Sequence, residues 1–272
     1  MISLEEARAR ILGALSPTPA ETVPLAEGWG RVLARPVTAR LTQPPADVSA
    51  MDGYAVRAAE AKAGACLRVI GAAPAGHPFA GEVASGTAIR IFTGGVVPPG
   101  ADGILLQEDA AEAAGTVTVN EAVTPGRWIR RRGLDFTEGE DLLPNGRKLT
   151  ARDIGLTAAA NHPWLTVHRR PRIGLLATGD EIALPGEPIP PGGIVSSNVH
   201  ALAALVRAAG GDPLVLPVAP DDREAIAAAA VAARACDLLV TTGGASVGEH
   251  DLVQAALGPQ GFALDFWKIA MR

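Results

Sequence analysis

Residues 171–181 read P-R-I-G-L-L-A-T-G-D-E, and this stretch decides the fold. The apolar run 173–177 ends in a polar turn containing glycine, as a strand covered on both faces does. Downstream the pattern alternates. Leu202, Leu205, Val206 and Ala209 fall at helical spacing within 198–209, 214–218 is a second apolar run, 223–234 a second helix, 237–241 a third strand, and another helix starts near His250. Strands alternating with helices in this way predict a doubly wound parallel sheet over residues 170–272. Ligands of such sheets collect at the carboxyl ends of the strands. Three loops fall there: Thr178-Gly179-Asp180-Glu181, Pro220-Asp221-Asp222, and 243–251, G-G-A-S-V-G-E-H-D. The glycines of the last loop permit close backbone approach, and its amides can cradle an anion at a helix start. Acidic residues on all three loops suggest an oxygen-ligated, magnesium-type cation beside that cradle.

Upstream the texture differs. Ser3-Leu4-Glu5-Glu6 predicts a capping box opening a helix whose stripe is Leu4, Ala7, Ile11, Leu12 and Leu15. From about residue 28 to 143, short β-type runs at 67–70, 88–92, 103–106 and 116–119 are broken by Gly and Pro, which reads as β-rich. A short helical piece follows at 151–160. With 48% hydrophobic and 19% charged residues the chain is an ordinary globular one rather than a disordered one. Its net charge of −5 argues against a nucleic-acid groove; Arg130-Arg131-Arg132 is the local exception. Cys66 and Cys236 are too few for a disulfide framework or a thiolate zinc site. The five histidines show no metal-ligand spacing, and Ser246 lacks an evident base partner, which speaks against a serine-triad hydrolase. Acids near the N-terminus and no apolar run of about 18 residues predict a soluble, cytoplasmic protein with no membrane and no nucleic-acid partner.

Several ordered segments together carry a resemblance: Ser49-Ala50-Met51-Asp52-Gly53-Tyr54-Ala55, the run 93–102 (T-G-G-V-V-P-P-G-A-D) with Glu108 downstream, Gly133-Leu134-Asp135, the T-G-D-E end of 171–181, Ser197-Asn198, Asp221-Asp222, 243–251, and Phe266-Trp267-Lys268. Across essentially the whole chain the sequence resembles the MoeA / gephyrin E-domain family, the molybdopterin molybdenumtransferases of molybdenum cofactor biosynthesis. The resemblance implies a multidomain α/β plus β-rich subunit, usually a homodimer. Its parts would be an elongated N-terminal linker domain (1–40 with 136–169), a β-rich module (41–135) and the α/β molybdopterin-binding domain (170–272). The implied reaction inserts molybdate into adenylated molybdopterin with release of AMP in a Mg2+-dependent step. A further implied partner is the molybdopterin adenylyltransferase. Asp52 and Thr93 match groups that the family turns toward the partner's pterin site, and Asp135 matches an implicated aspartate after a G-x-D turn. Glu181, Asp221 and Asp251 match the acidic cluster, here read as positioning magnesium and pyrophosphate, and Lys268 would face molybdate or phosphate. Thr178, Gly179, Asp180, Ser197, Asn198, Gly243, Gly244, Ser246 and Gly248 would hold the pterin and its terminal phosphate. The family pattern continues into P-G-K-P and a small C-terminal β-domain, whereas this sequence ends at Arg272. The α/β domain is therefore expected to be incomplete at its C-terminus. The alternative reading is a non-catalytic molybdopterin-binding or dimerisation fragment.

Overall fold

A computed structural model of the chain describes residues 2–243, 252–261, 263 and 269–270. Two compact units emerge: Met1–Ala34 with Leu165–Arg272, and Arg35–Trp164.

In the first unit, strand Arg172–Ala177 is central, flanked in parallel by Asp212–Val215 and Leu238–Thr242. Alternation along the central strand sends Ile173, Leu175 and Ala177 to one face, where Val199 and Ala203 of helix Asn198–Ala209 cover them. Leu176 points to the other face and packs with Ile226 of helix Arg223–Ala232 and with Ala256 of helix Leu252–Leu257. Helices thus cover both faces, which is the doubly wound arrangement. Asp222 starts the Arg223–Ala232 helix by accepting a hydrogen bond from the Ala225 amide at 2.8 Å.

Two local expectations shift. The strand read at 214–218 stands at Asp212–Val215, because Gly210, at φ +98°, caps the preceding helix and the Asp212 amide immediately donates to Pro171 O at 2.8 Å. Pro213 is tolerated there because the strand is an edge. At helix Leu4–Ala14, Ser3 Oγ accepts from the Glu6 amide, but the Glu6 carboxylate binds Arg10 at 2.7 Å instead of completing a capping box. Of its stripe only Ala7 is buried, and Leu205 on Asn198–Ala209 is exposed as well.

The second unit holds a six-stranded sheet in the order Gly103–Leu106, Gly53–Val56, Thr87–Ile91, Cys66–Ala73, Thr116–Val119, Ala110–Ala113. All pairs are antiparallel except Cys66–Ala73 with Thr87–Ile91. Tyr54, Val56, Ala88 and Leu105 bury on one face, and Ala55, Ile89, Ile91 and Ile104 on the other. Residues at both ends of this unit, Ala39, Phe136 and Ala160, form a separate small cluster. The helix there, Ala151–Ala159, opens with a full capping box between Thr150 and Asp153 that the sequence reading did not single out. Among the described residues no helix is long and apolar enough to cross a membrane.

Candidate functional site

The α/β unit places its loops by topology. From the central strand the chain moves to Asp212–Val215 on one side, then crosses to Leu238–Thr242 on the other. In a doubly wound sheet the ligand crevice lies at such a switch, here outside the carboxyl ends of Arg172–Ala177 and Leu238–Thr242. Thr178 sits at its floor, buried, with its amide on Thr242 O at 3.0 Å and the next amide, of Gly179, on Ala219 O at 3.1 Å. Among the described residues its buried hydroxyl has no hydrogen-bond partner, an arrangement that fits a donor kept for a ligand. Gly243 faces it at φ +98°, and a Cβ there would meet Thr178 O and lie 2.9 Å from Thr178 Oγ1. Only glycine satisfies both the backbone angle and the space.

Around this crevice, Asp180 Oδ1 accepts from the Asp221 amide at 3.1 Å, tying two of the three acidic loops together. The Glu181 carboxylate lies over Gly179, where a Cβ would be 2.8 Å from its Oε1. Ser197 precedes its helix without spending its hydroxyl on a cap, and Ser197 and Asn198 are both exposed. Gly244, Ser246, Gly248, Asp251 and Lys268 lie outside the described residues. Among the described residues no three His, Cys, Asp or Glu side chains converge as a metal site, and Asp251, the third member of the expected set, is not one of them.

The β-rich unit gathers a second group. Gly53 pairs with Ile91 across the sheet, which sets Asp52 opposite the start of the 93–102 loop. Asp52 Oδ1 accepts from both the Thr93 amide and the Thr93 hydroxyl, each at 2.8 Å. These bonds, the amide first, hold the Asp52 carboxyl below its ordinary range despite the opposing pull of desolvation, and the Arg90 charge adds to them. Asp52 Oδ2 has no hydrogen bond among the described residues, so an ionised carboxylate oxygen remains available. Arg90, the cross-strand partner of Tyr54, lies over the Tyr54 ring (5.0 Å) and the Phe92 ring (5.1 Å) and donates to Gly53 O (3.3 Å) and Gln107 Oε1 (2.6 Å). The Gln107 amide in turn donates to Asp52 O at 3.2 Å. Arg90 and Gln107 thus brace Asp52 from both neighbouring strands. Sequence reasoning missed them; the available signal was the two-residue alternation that puts Arg90 and Phe92 on one face.

Strand Val48–Ser49 brings in the third motif by pairing with Ile129–Arg130, while the Ser49 carbonyl accepts from the Gly94 amide at 2.9 Å. Asp135 receives Arg130 Nη2 on both oxygens, at 3.1 and 3.2 Å. Arg131 binds Asp47 Oδ2 at 2.6 Å, and Asp47 Oδ1 takes the Arg132 amide at 2.8 Å. That amide bond is the main influence holding the Asp47 carboxyl below its usual range, so the arginine run is anchored within the fold.

The MoeA N-terminal region (domain I and II) matches residues 2–161, and the family described as "Probable molybdopterin binding domain" matches residues 174–272. A Nostoc sp. protein named molybdopterin molybdenumtransferase is 36% identical over 258 residues, 93% of this chain and 59% of its own length. One of the same name from Haemophilus influenzae is 35% identical over 275 residues, 100% of this chain and 68% of its own. The chain therefore spans about 59% to 68% of the length of these relatives. A crystal structure of the molybdopterin biosynthesis MoeA protein from Pyrococcus horikoshii superposes with a TM-score of 0.84 at 33% identity, covering 89% of this chain and 66% of that one. A second structure of a protein so described gives a TM-score of 0.82 at 30% identity, covering 95% and 66%.

Proposed function

The chain belongs to the MoeA family, with the N-terminal region and the molybdopterin-binding domain in order along it, and on that premise we propose that it is a molybdenumtransferase that inserts molybdate into adenylated molybdopterin and releases AMP. The observation that carries this reading is the Asp52–Thr93 pair: residues far apart in sequence meet so that one carboxylate oxygen is fixed and the other stays free.

Each group has a role in the proposal. Asp52, ionised and braced by Thr93, accepts hydrogen bonds from N–H donors of the substrate; an ionised carboxylate has no proton to give. The Thr178 hydroxyl donates to the phosphate end, with Gly179, Asp180, Gly243, Gly244, Ser246 and Gly248 in the same binding role, as are Ser197 and Asn198 at the start of their helix. Lys268 neutralises molybdate or phosphate, and Asp135, which accepts Arg130 on both oxygens, serves the same reaction. The donor chemistry of Glu181, Asp221 and Asp251, all carboxylate oxygens, fits a hard divalent cation, and the tie from Asp180 to the Asp221 amide holds the first two loops together. When bound, magnesium would neutralise charge on the phosphate oxygens. We further propose a cytoplasmic homodimer in which Asp52 and Thr93 face the pterin held by the partner, a three-part organisation divided near residues 40, 135 and 169, and the molybdopterin adenylyltransferase as supplier of substrate.

The test is AMP release from adenylated molybdopterin given molybdate and magnesium. Wild type should turn over and Asp52→Ala should keep the fold while losing AMP release. Turnover unchanged by Asp52→Ala removes the role of Asp52, and tight molybdopterin binding with no turnover by wild type supports the non-catalytic reading instead.

A further inference from the structure

Trp128 holds a left-handed backbone conformation, φ +61°. Among the described residues the other non-glycine positions with positive φ have local reasons: Ala114 shares a hairpin turn with Gly115, and Asn161, a residue type that tolerates this region, follows a helix end. A bulky residue does not tolerate it, and strain of this kind gathers at functional sites. The surroundings enforce it. The Trp128 carbonyl accepts the Ala50 amide at 2.8 Å, and the next residue, Ile129, pairs with Ser49 and packs against the Ile89–Ile91 core.

The side chain nevertheless keeps much of its surface open, for Trp128 is 40% exposed. Arg127 lies over its ring at 5.9 Å and is itself tethered to Glu121 Oε1 at 2.8 Å. Such a charge backs an aromatic face and fixes its orientation. Met51 and Phe92, adjoining Asp52 and Thr93 in sequence, are also exposed, at 38% and 36%. The Ala50–Trp128 bond thus ties the backbone of Trp128 to the segment that carries Asp52, and Trp128, Met51 and Phe92 each keep open surface.

We propose that Trp128 is a stacking platform for a planar nitrogen heterocycle of the substrate. This rests on the molybdenumtransferase reading, whose adenylated substrate carries two such rings, pterin and adenine. The test uses the whole chain and two probes, AMP and neopterin, titrated calorimetrically against wild type, Trp128→Asn and Trp128→Phe, with Tm recorded for each. Asparagine accepts the left-handed conformation, so Trp128→Asn should hold or raise Tm while weakening one probe by about tenfold, toward the lower end of what stacking a base on an aromatic ring is worth. Trp128→Phe should stay within about threefold of wild type, as stacking on the smaller ring persists. Loss confined to AMP assigns adenine; loss confined to neopterin assigns the pterin. Unchanged affinity for both probes in Trp128→Asn, equal losses in Asn and Phe variants, no binding of either probe by wild type, or a shift of oligomeric state in Trp128→Asn would each overturn the proposal. Failure of AMP release in wild type refutes the catalytic reading, whereas the heterocycle affinities are read independently of turnover.

Discussion

Gly53→Ala puts the sheet geometry beside Asp52 to a direct test. Gly53 lies in extended backbone between two strands, so no unusual φ demands glycine; the demand is space. A Cβ built there meets Leu105 O, lies 2.9 Å from Leu105 C and 3.1 Å from Leu106 Cα. These are backbone atoms of a paired strand whose Ile104 and Leu105 side chains are fully buried, so they cannot swing away. Overpacking of this kind costs about 1–3 kcal/mol, and opening the Gly53–Leu106 pairing adds roughly 1 kcal/mol per ladder bond lost. The sum is about 3 kcal/mol against a domain stability of roughly 5–15 kcal/mol, and a unit of this size should lose roughly 10 °C in Tm. Gly155 supplies the control: it sits within helix Ala151–Ala159 with nothing within 4 Å of its would-be Cβ. Gly155→Ala should therefore stabilise, by about 0.5–1 kcal/mol. Thermal unfolding followed by circular dichroism on both variants decides the matter. A Gly53→Ala protein melting within about 2 °C of wild type, or shifting in the same direction as Gly155→Ala, would refute the steric argument.

Asp153→Ala removes the carboxylate that binds the Thr150 amide and hydroxyl (2.8 Å each) and Arg147 Nε (3.0 Å), and should cost about 2 kcal/mol in denaturant unfolding. Burial pushes the Asp153 carboxyl up, but Arg147 and Thr150 outweigh it and hold it below 3.8; its contribution is therefore present above about pH 4 and lost as the pH falls through the lowered value, so the gap between wild type and Asp153→Ala should close in acid. Thr93→Val keeps the amide bond to Asp52 but deletes the hydroxyl one, which raises the Asp52 carboxyl toward its ordinary value; AMP release should fall less than in Asp52→Ala, and the acid limb of its pH profile should move up. An unmoved acid limb would count against Asp52 acting in its ionised form. Gly243→Ala should destabilise the α/β unit by about 2–4 kcal/mol, because a left-handed backbone and the Thr178 carbonyl both exclude a Cβ; a Tm equal to wild type would show that the crevice floor yields.

The sequence by itself determined the elements whose cause is local. A parallel strand buried on both faces must be a continuous apolar run, so the central Arg172–Ala177 was legible, Leu238–Thr242 was marked by its own apolar start, and helix Asn198–Ala209 stands at the residues its spacing predicted. Strand Asp212–Val215 was read two residues late because Pro213 conceals a strand start that an edge position allows. Glycine and proline spacing likewise marked the β-rich segments, and the ordered motifs marked the family. Tertiary structure alone decided which of these residues meet. Asp52 finds Thr93 through the register of Gly53 opposite Ile91, Arg90 reaches Gly53 and Gln107 across two strands, and Asp180 takes the amide of Asp221 because their strands are neighbours in space. It also decided that Leu4, Ile11 and Leu12 stay exposed and that Arg131 and Arg132 are held by Asp47. Periodicity records which face of an element is apolar, whereas a hydrogen bond between residues distant in the chain depends on strand order and register, and those arise only when the whole sheet closes its ladder.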